Sequence, residues 1–248
     1  MRPLEIIIPC LLAIYLLWPL IGLRPIAVTA LPALALVLIL LHALIEGARW
    51  QMVPIYVLAA VLFLTGFPAL IHAGPVNQAV TRGWPLAGLI LSLLLLAVST
   101  LVPALLPDPT LLAPTGPYVV GTRTFVLTDP GRKEIYSGKD EARKFMLEVW
   151  YPAKPPVPGT KPAPWMAEAR IVAPALADYI KLPHFFLDHL SLAKTASYEN
   201  IQPDGSAAPY PVLIFSHGWN GFRQQSTFLM QELASHGYIV AALEQPYG

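Results

Sequence analysis

The chain has 248 residues, of which 55% are hydrophobic and only 12% are charged, and its mean hydropathy is +0.56. Because soluble domains usually carry about 25% charged residues, this composition indicates a membrane protein. The net charge of +1, with no basic stripe or block of like charge, excludes an electrostatic case for nucleic-acid binding. The single cysteine, Cys10, excludes internal disulfides and cysteine-rich metal sites.

Charged residues are distributed unevenly along the chain. Residues 1–106 contain four basic residues, two acidic residues and no lysine, whereas residues 107–248 contain the other twelve basic and thirteen acidic residues. The sequence therefore predicts two physically different parts, joined by a proline-rich spacer. They are a transmembrane region over residues 1–106, a linker over residues 107–117 and a water-soluble domain over residues 118–248.

Four apolar segments of the first part are close to the roughly 20 residues that a helix needs to cross a bilayer. They cover residues 5–23, 26–45, 52–72 and 84–106. Their internal prolines suit membrane helices, whose neighbours satisfy the freed backbone groups. Trp18, Trp50 and Trp84 lie near span ends, as in an interfacial aromatic belt. The sequence thus predicts a four-span α-helical bundle in contact with a lipid bilayer.

The orientation of the bundle follows only weakly from its charges. Arg2 and Arg49 would share one side of the membrane, and Arg24 and Arg82 the other. The free amino terminus beside Arg2 favours a cytoplasmic amino terminus, and four spans then leave the second half in the cytoplasm. Residues 1–30 also resemble a signal peptide, but the three later spans predict a multi-pass protein of the cell membrane in either case.

A polar group occurs near the end of the second span. His42, Glu46 and Arg49 are spaced at i, i+4 and i+7, on one face of a helix. Such a group is typical either of a polar site within the membrane or of the interfacial end of a span. No predicted span has a charged residue at its middle, so the sequence favours the interfacial interpretation and gives no support for a transporter.

The second half begins with predicted strands and short helices. β-Branched and aromatic residues predict strands over residues 118–127 and 144–151, joined by a turn-rich connection. Prolines at or near a first turn indicate three short helices, over residues 164–172, 174–181 and 183–192.

A strand–helix–strand unit follows. The strand over residues 212–216 is continuously apolar, which predicts that both of its faces are covered. A helix is predicted over residues 225–236, with Leu229, Met230 and Leu233 facing the core and Gly237 ending it. Residues 238–243 form a further buried strand, so the three elements together predict a βαβ unit.

The first strand of this unit runs directly into the loop His217-Gly218-Trp219-Asn220-Gly221. In α/β hydrolases, one backbone N–H that holds the reaction's oxyanion comes from such a loop, often in an HGGG-type sequence. Trp219 follows His-Gly, so its N–H is the candidate donor. Gly218 and Gly221 would permit unusual φ angles and close backbone approach. An ordinary strand-to-helix turn is the alternative interpretation.

The other serine, histidine and acidic residues of the second half give no recognisable catalytic triad. Ser216 and His217 are adjacent, so their side chains point to opposite faces and do not readily pair; His217 is therefore predicted to support the loop. His236 lies at a helix carboxyl end, where it complements the dipole. Packing or surface roles, or no identifiable partner, are predicted for His184, His189, Asp178, Asp188 and Glu244.

Three blocks of the second half, in order, resemble the family of platelet-activating-factor acetylhydrolases and their bacterial carboxylic ester hydrolase relatives. The blocks are GTRTFVLTDPGRKEIYSGKDEARKFMLEVWYPAKP, LPHFFLDHLSLAKTASYENIQP and YPVLIFSHGWNGFRQQSTFLMQELASHGYIVAALEQPYG. The resemblance covers about residues 118–248 and implies an incomplete α/β hydrolase domain following the four-span bundle.

The resemblance also implies a serine ester hydrolase with a Ser, Asp and His triad, acting on short-chain acyl esters of phospholipids or on related carboxylic esters, without a metal or other cofactor. Only the oxyanion donor, Trp219, is carried over onto this chain. No Gly-x-Ser-x-Gly segment occurs, so the triad is expected beyond Gly248 and the chain by itself is expected to be inactive. A non-enzymatic membrane protein with a partial, hydrolase-like interaction module is the alternative.

Overall fold

The structure is a computed structural model, which describes residues 2–21, 25–71, 86–219 and 221–246. It divides into two compact units, Met1–Asp108 and Pro109–Gly248. Four residues used in the sequence interpretation lie outside the described residues, namely Arg24, Arg82, Trp84 and Asn220.

All the regular secondary structure in the described part of the first unit is helical. Its helices are α1 (Pro3–Leu17), α2 (Ile26–Thr29), α3 (Leu31–Leu41), α4 (Val53–Ile71) and α5 (Leu86–Leu105). Helical turns extend several of them, 3₁₀ at Trp18–Leu20 and Trp50–Met52 and π at His42–Gly47. With these turns, the described residues contain four helices long and apolar enough to cross a membrane, Pro3–Leu20, Ile26–Gly47, Trp50–Pro68 and Leu86–Leu105.

These helices pack around an apolar core. Ile8 and Leu12 of α1 are fully buried, as is Ile55 of α4. Ala35 and Ala59 are also fully buried, and such small side chains let helix backbones approach closely. Many leucine and isoleucine side chains on the outer faces are exposed, as expected for helices that are apolar all round.

One end of the first unit carries a cluster of charged side chains, called here the polar cap, formed by Arg2, Glu5, His42, Glu46, Arg49 and Asp108. Glu5 Oε1 accepts hydrogen bonds from Arg2 Nη2 at 2.8 Å and Arg49 Nη1 at 2.9 Å. Asp108 Oδ2 lies 3.5 Å from Arg2 Nε. Because Arg2 precedes α1 and Asp108 follows α5, both chain ends of this unit lie at the same end of the bundle.

The predicted polar face near the end of the second span is only partly helical. His42 Nδ1 lies 2.9 Å from Glu46 Oε2 across one turn. The helix ends at Gly47, whose φ is +86°, and Arg49 follows in an extended conformation. Arg49 therefore reaches the polar cap from outside the helix, because the left-handed glycine redirects the chain.

The second unit is built on a five-stranded sheet. Its strands are β1 (Val119–Lys133), β2 (Ala142–Ala153), β3 (Ser197–Glu199), β4 (Val212–Ser216) and β5 (Ile239–Leu243), in the order β3-β1-β2-β5-β4. Strands β1 and β2 form a long antiparallel hairpin, β3 pairs in parallel with β1, and β5 is antiparallel to β2 and parallel to β4.

Helix α7 (Thr227–Ser235) connects β4 to β5, and this confirms the predicted βαβ unit. Met230 and Ala234 pack on Trp150 of β2 and Val240 of β5. Leu229 is exposed, so its predicted place in the core is wrong. The buried side of the helix instead includes polar side chains such as Gln231. Gly237 has a φ of +92° and ends the helix as predicted. The mixed sheet with its helices fits an α/β hydrolase-like domain.

The helical region before β3 differs from the prediction. The two helices predicted on either side of Pro174 form one helix, α6 (Ala169–Tyr179), which includes that proline. Residues 164–168 are not helical, and His184–Leu192 winds as a 3₁₀ helix. Strand β3 was not predicted, because three residues are too few to show a period.

Strand β4 is not covered on both faces. Val212 is 61% exposed and Ile214 is 74% exposed, which contradicts the expectation drawn from its continuous apolar sequence. The strand lies at an edge of the sheet, and within the described residues only β5 pairs with it. The unpaired backbone groups of such an apolar edge strand are able to pair with another strand.

Candidate active site

The candidate site lies where β4 and β5 end side by side. Ser216, the last residue of β4, is paired with Leu243, the last residue of β5. Since the two strands are parallel, the residues that follow them, His217 on one and Gln245 on the other, meet at the same edge of the sheet. In open α/β sheets this carboxyl edge is where ligands bind.

The His217 ring is buried between the two strand ends. The backbone N–H of Gln245 donates to His217 Nε2 at 3.1 Å. Because Nε2 accepts this bond, the ring proton belongs on Nδ1, which donates to the Gly218 carbonyl at 2.9 Å. Glu244 Oε1 lies 3.3 Å from the same Nε2. In this arrangement His217 links the Gly218 carbonyl of the loop to the backbone that follows β5.

The peptide group between Gly218 and Trp219 is held through its carbonyl. That oxygen accepts both the His217 Nδ1 proton and the Gly221 backbone N–H, the latter at 3.0 Å. In a trans peptide the carbonyl and the N–H point in opposite directions. The Trp219 N–H is thus aimed away from these donors, and among the described residues it has no acceptor. A fixed and unpaired backbone donor is what an oxyanion hole needs.

The two loop glycines differ in how closely other atoms approach them. A Cβ at Gly221 would lie 2.3 Å from Oε1 of the flexible Gln225 side chain and 3.0 Å from the Gly218 backbone oxygen, a tight contact that favours a glycine there. Gly218 is outside the left-handed region, and a Cβ there would meet no described atom within 4 Å. Gly218 therefore does not use the unusual φ that a glycine permits. Trp219 itself is 89% exposed.

The buried side chain of Arg223 holds the same loop in place. Its side chain is only 2% exposed and contacts three carboxylates, each from a different element. Arg223 Nη1 donates to Glu244 Oε2 at 2.9 Å, Arg223 Nη2 donates to Glu168, and Arg223 Nε lies 3.4 Å from Glu148 Oε2. The neighbouring Gln224 also bonds Glu148, at 2.7 Å.

The Glu148 carboxyl has a perturbed pKa. Burial raises the pKa of Glu148 above its ordinary value, while the Arg223 charge and the hydrogen bonds from Gln224 and Thr122 act in the opposite direction without cancelling it. The folded protein therefore binds the Glu148 proton more tightly than the unfolded chain does. Its contribution to stability is greatest at low pH and declines as pH rises through the raised folded pKa.

We expect Glu148→Gln to flatten the pH dependence of stability of the second unit. In the parent protein, the midpoint of thermal unfolding should fall more steeply with pH from about pH 4.5 upward than in the variant. Near-ultraviolet circular dichroism at a series of pH values measures this. Glu199→Gln, on the exposed end of β3, is the matched control and should leave the profile unchanged. Parallel profiles for the parent and Glu148→Gln would contradict the prediction.

A cleft of about 330 Å³ adjoins the site at the carboxyl end of β5. Its apolar lining includes Phe145, Leu243 and Pro246, and it also reaches Glu244 and Gln245. It is therefore next to the residues that hold His217. Within the described ranges, no three histidine, cysteine, aspartate or glutamate side chains are grouped so that they could hold a metal ion.

The remaining triad candidates do not form a nucleophile–base pair. His184 pairs with Asp178 at 3.4 Å on the surface, and His236 pairs with Glu232 at 3.0 Å. His189 is buried. The Ser216 hydroxyl accepts a hydrogen bond from the Gln245 side chain. None of these contacts brings a serine and a histidine to the loop as nucleophile and base.

Comparison with known proteins identifies the family. The model of the family described as platelet-activating factor acetylhydrolase, isoform II, matches residues 107–246. The chain belongs to this family. The match covers the linker, the whole sheet and the candidate loop.

Two individual proteins are also similar to parts of this chain. The platelet-activating factor acetylhydrolase of Cavia porcellus is 57% identical over 35 residues, which are 14% of this chain and 8% of that protein. The structure of a ferulic acid esterase from Streptomyces cinnamoneus is similar with a TM-score of 0.45 and 27% identity, over 56% of this chain and 37% of the esterase. The chain thus spans well under half the length of either relative.

Sequence reasoning missed the network beneath the loop. No spacing in the sequence identifies a partner for Glu244, and no motif marks Arg223. Their partners are 21 and 55 residues away in the chain, so local spacing carries no trace of them. The one available signal was an arginine in an otherwise uncharged loop, where a buried cation requires carboxylate partners.

Proposed function

We propose that this chain is part of a membrane-anchored carboxylic ester hydrolase in which the Trp219 N–H is one of two oxyanion donors. The observation that carries the proposal is the outward-pointing, unpaired Trp219 N–H on a peptide fixed by two hydrogen bonds to its carbonyl. Such a donor stabilises the negative charge of a tetrahedral intermediate without reorganisation during the reaction. Membership of the acetylhydrolase family supports ester hydrolysis as that reaction.

The nucleophile in this proposal is a serine, activated by a histidine that an aspartate orients. All three residues would lie beyond Gly248, since residues 1–248 contain no Gly-x-Ser-x-Gly segment. The serine would attack the ester carbonyl while the Trp219 N–H and a second backbone donor hold the oxygen. Collapse of the tetrahedral intermediate would break the ester C–O bond and release the alcohol, protonated by the histidine, and water would then hydrolyse the remaining acyl-enzyme. Residues 1–248 alone would be inactive.

The four apolar helices support a membrane anchor beside the catalytic domain. Their outward side chains are mostly leucine, isoleucine and valine, which suit contact with lipid. Because Arg2 and Asp108 are paired at one end of the bundle, the linker would leave the membrane on the side of the amino terminus. A cytoplasmic amino terminus would place the hydrolase domain in the cytoplasm. Short-chain acyl esters of phospholipids, or related carboxylic esters, are the proposed substrates.

The test compares the complete reading frame with residues 1–248, both in lipid nanodiscs. We expect the complete protein to hydrolyse p-nitrophenyl acetate and an sn-2 acetyl phospholipid, and to be labelled by a fluorophosphonate probe that reacts with activated serines. The 248-residue chain should show neither property. A complete protein without probe labelling or ester hydrolysis would contradict the proposed function and favour an interaction module.

A further inference from the structure

Arg223 is buried within the same ten-residue connection that carries the candidate oxyanion donor. Its three carboxylate partners come from β2, from the residue before α6 and from the residue after β5; they are Glu148, Glu168 and Glu244. A guanidinium group presents its donors in a rigid planar fork, so several simultaneous partners fix its position and orientation. Arg223 therefore ties the loop to three separate elements of the second unit.

The contact of Arg223 with Glu244 is linked to the Gly218–Trp219 peptide through Gln245 and His217. Glu244 Oε2 accepts from Arg223 Nη1 at 2.9 Å and from the Arg223 backbone N–H at 3.3 Å. The Glu244 backbone N–H donates to the Met146 carbonyl at 2.8 Å, which holds the end of β5 against β2. The adjacent residue, Gln245, uses its N–H to hold His217 Nε2.

His217 connects Gln245 to the Gly218–Trp219 peptide. With Nε2 occupied by the Gln245 N–H, its only ring proton is directed at the Gly218 carbonyl. The direction of the Trp219 N–H is thus set by a continuous series of contacts that begins at Arg223. A second contact stabilises the loop at Phe222, whose ring lies 6.0 Å from that of Trp165. Trp165 Nε1 also donates to the Gln224 carbonyl at 2.9 Å.

We propose that Arg223 is a positioning residue for the oxyanion hole, acting through Glu244 and His217 on the Gly218–Trp219 peptide. The proposal rests on the proposed function, because it assigns a catalytic purpose to the rigidity of this peptide. Arg223 does not touch the substrate. When Arg223 is lost, the loop is free to leave the orientation in which the Trp219 N–H points at the oxyanion.

The first readout is the mobility of the Trp219 amide, which does not depend on activity. The full chain in detergent micelles is labelled with ¹⁵N-tryptophan, and the Trp219 signal is assigned by its absence in Trp219→Phe. We expect an order parameter of about 0.85 in the parent protein and below about 0.6 in Arg223→Met. The Trp150 amide, buried in β2, reports whether the second unit remains folded.

Two further variants make the readout decisive if Arg223→Met does not fold. Glu244→Gln leaves Arg223 paired with Glu148 and Glu168, yet it weakens the contact that leads to His217, so it should also mobilise the Trp219 amide. Arg223→Lys keeps the charge without the planar fork and should give an intermediate order parameter. Arg170→Met, an exposed arginine of α6, is the matched control and should change nothing.

The second readout is the rate of the complete enzyme. For a positioning role, Glu244→Gln and Arg223→Met should lower kcat by about 10²-fold while KM for p-nitrophenyl acetate changes by less than about threefold. A structural role alone would reduce the amount of folded enzyme without changing kcat per active serine, counted with the fluorophosphonate probe.

The outcomes separate the two proposals. If the complete parent enzyme does not hydrolyse esters, the proposed function fails, while the order parameters still decide whether Arg223 fixes the peptide. If the Trp219 amide stays rigid in folded Arg223→Met and Glu244→Gln, the positioning role of Arg223 is overturned whatever the activity. Loss of rigidity together with a lower kcat at unchanged KM establishes it.

Discussion

Trp219→Pro should lower kcat of the complete enzyme by about 10²–10³-fold, because proline has no backbone N–H to donate to the oxyanion. The Trp219 N–H has no acceptor among the described residues, so its removal breaks no bond of the folded loop. The residue before it is Gly218, which has no Cβ to clash with a following proline ring. Steady-state hydrolysis of p-nitrophenyl acetate measures the loss.

The matched control is Trp219→Ala. This variant removes the exposed indole but retains the backbone N–H, and should keep kcat within about threefold of the parent value. Thermal unfolding of both variants establishes that they are equally folded. If Trp219→Ala loses as much activity as Trp219→Pro, the indole and not the N–H is the important group, and the oxyanion assignment is wrong.

Arg49→Met should destabilise the helical bundle by about 3–5 kcal/mol, because it removes one partner from a buried ion pair. The Arg49 side chain is 1% exposed and that of Glu5 is 0% exposed. Without Arg49, the Glu5 carboxylate keeps Arg2 but loses the contact at 2.9 Å, and the Leu106 carbonyl loses its donor. Unfolding by sodium dodecyl sulfate from mild detergent, followed by far-ultraviolet circular dichroism, measures the free energy.

The double variant Arg49→Met with Glu5→Gln tests the cause. If the charge pair is responsible, removing both charges costs less than the sum of the two single changes, because no buried carboxylate is left without one of its two arginine partners. Leu44→Met, an exposed position in the π-helical turn, is the control and should be close to neutral. Strict additivity of the two single changes would show that the residues act independently.

Much of the second unit was predictable because its signals are local. Val212–Ser216 and Ile239–Leu243 are short apolar runs bounded by turn residues, and Gly237 marks the end of the helix between them. Each depends on the conformational preference of a few adjacent residues, which a sequence displays directly. The errors at Leu229 and Pro174 arose where packing, and not local preference, decided which residues are buried and where a helix begins.

In the candidate site too, some features follow from neighbouring residues and others from the tertiary structure. His217, Gly218, Trp219 and Gly221 are consecutive or nearly so, and their motif points to the loop without any knowledge of the fold. The direction of the Trp219 N–H depends instead on Gln245, which the parallel pairing of β4 and β5 brings to His217. Likewise Arg223 finds Glu148 and Glu168 only after β2 and α6 are in place.

The sequence by itself therefore determined the family, the apolar helices, the βαβ unit and the loop that carries the candidate donor, since each is written in neighbouring residues or in a local pattern. Only the tertiary structure decided which charges are paired. Arg49 with Glu5, and Arg223 with Glu244, are far apart in the chain. A buried charge is stable only beside its partner, and which residues become neighbours is set by the packing of whole elements.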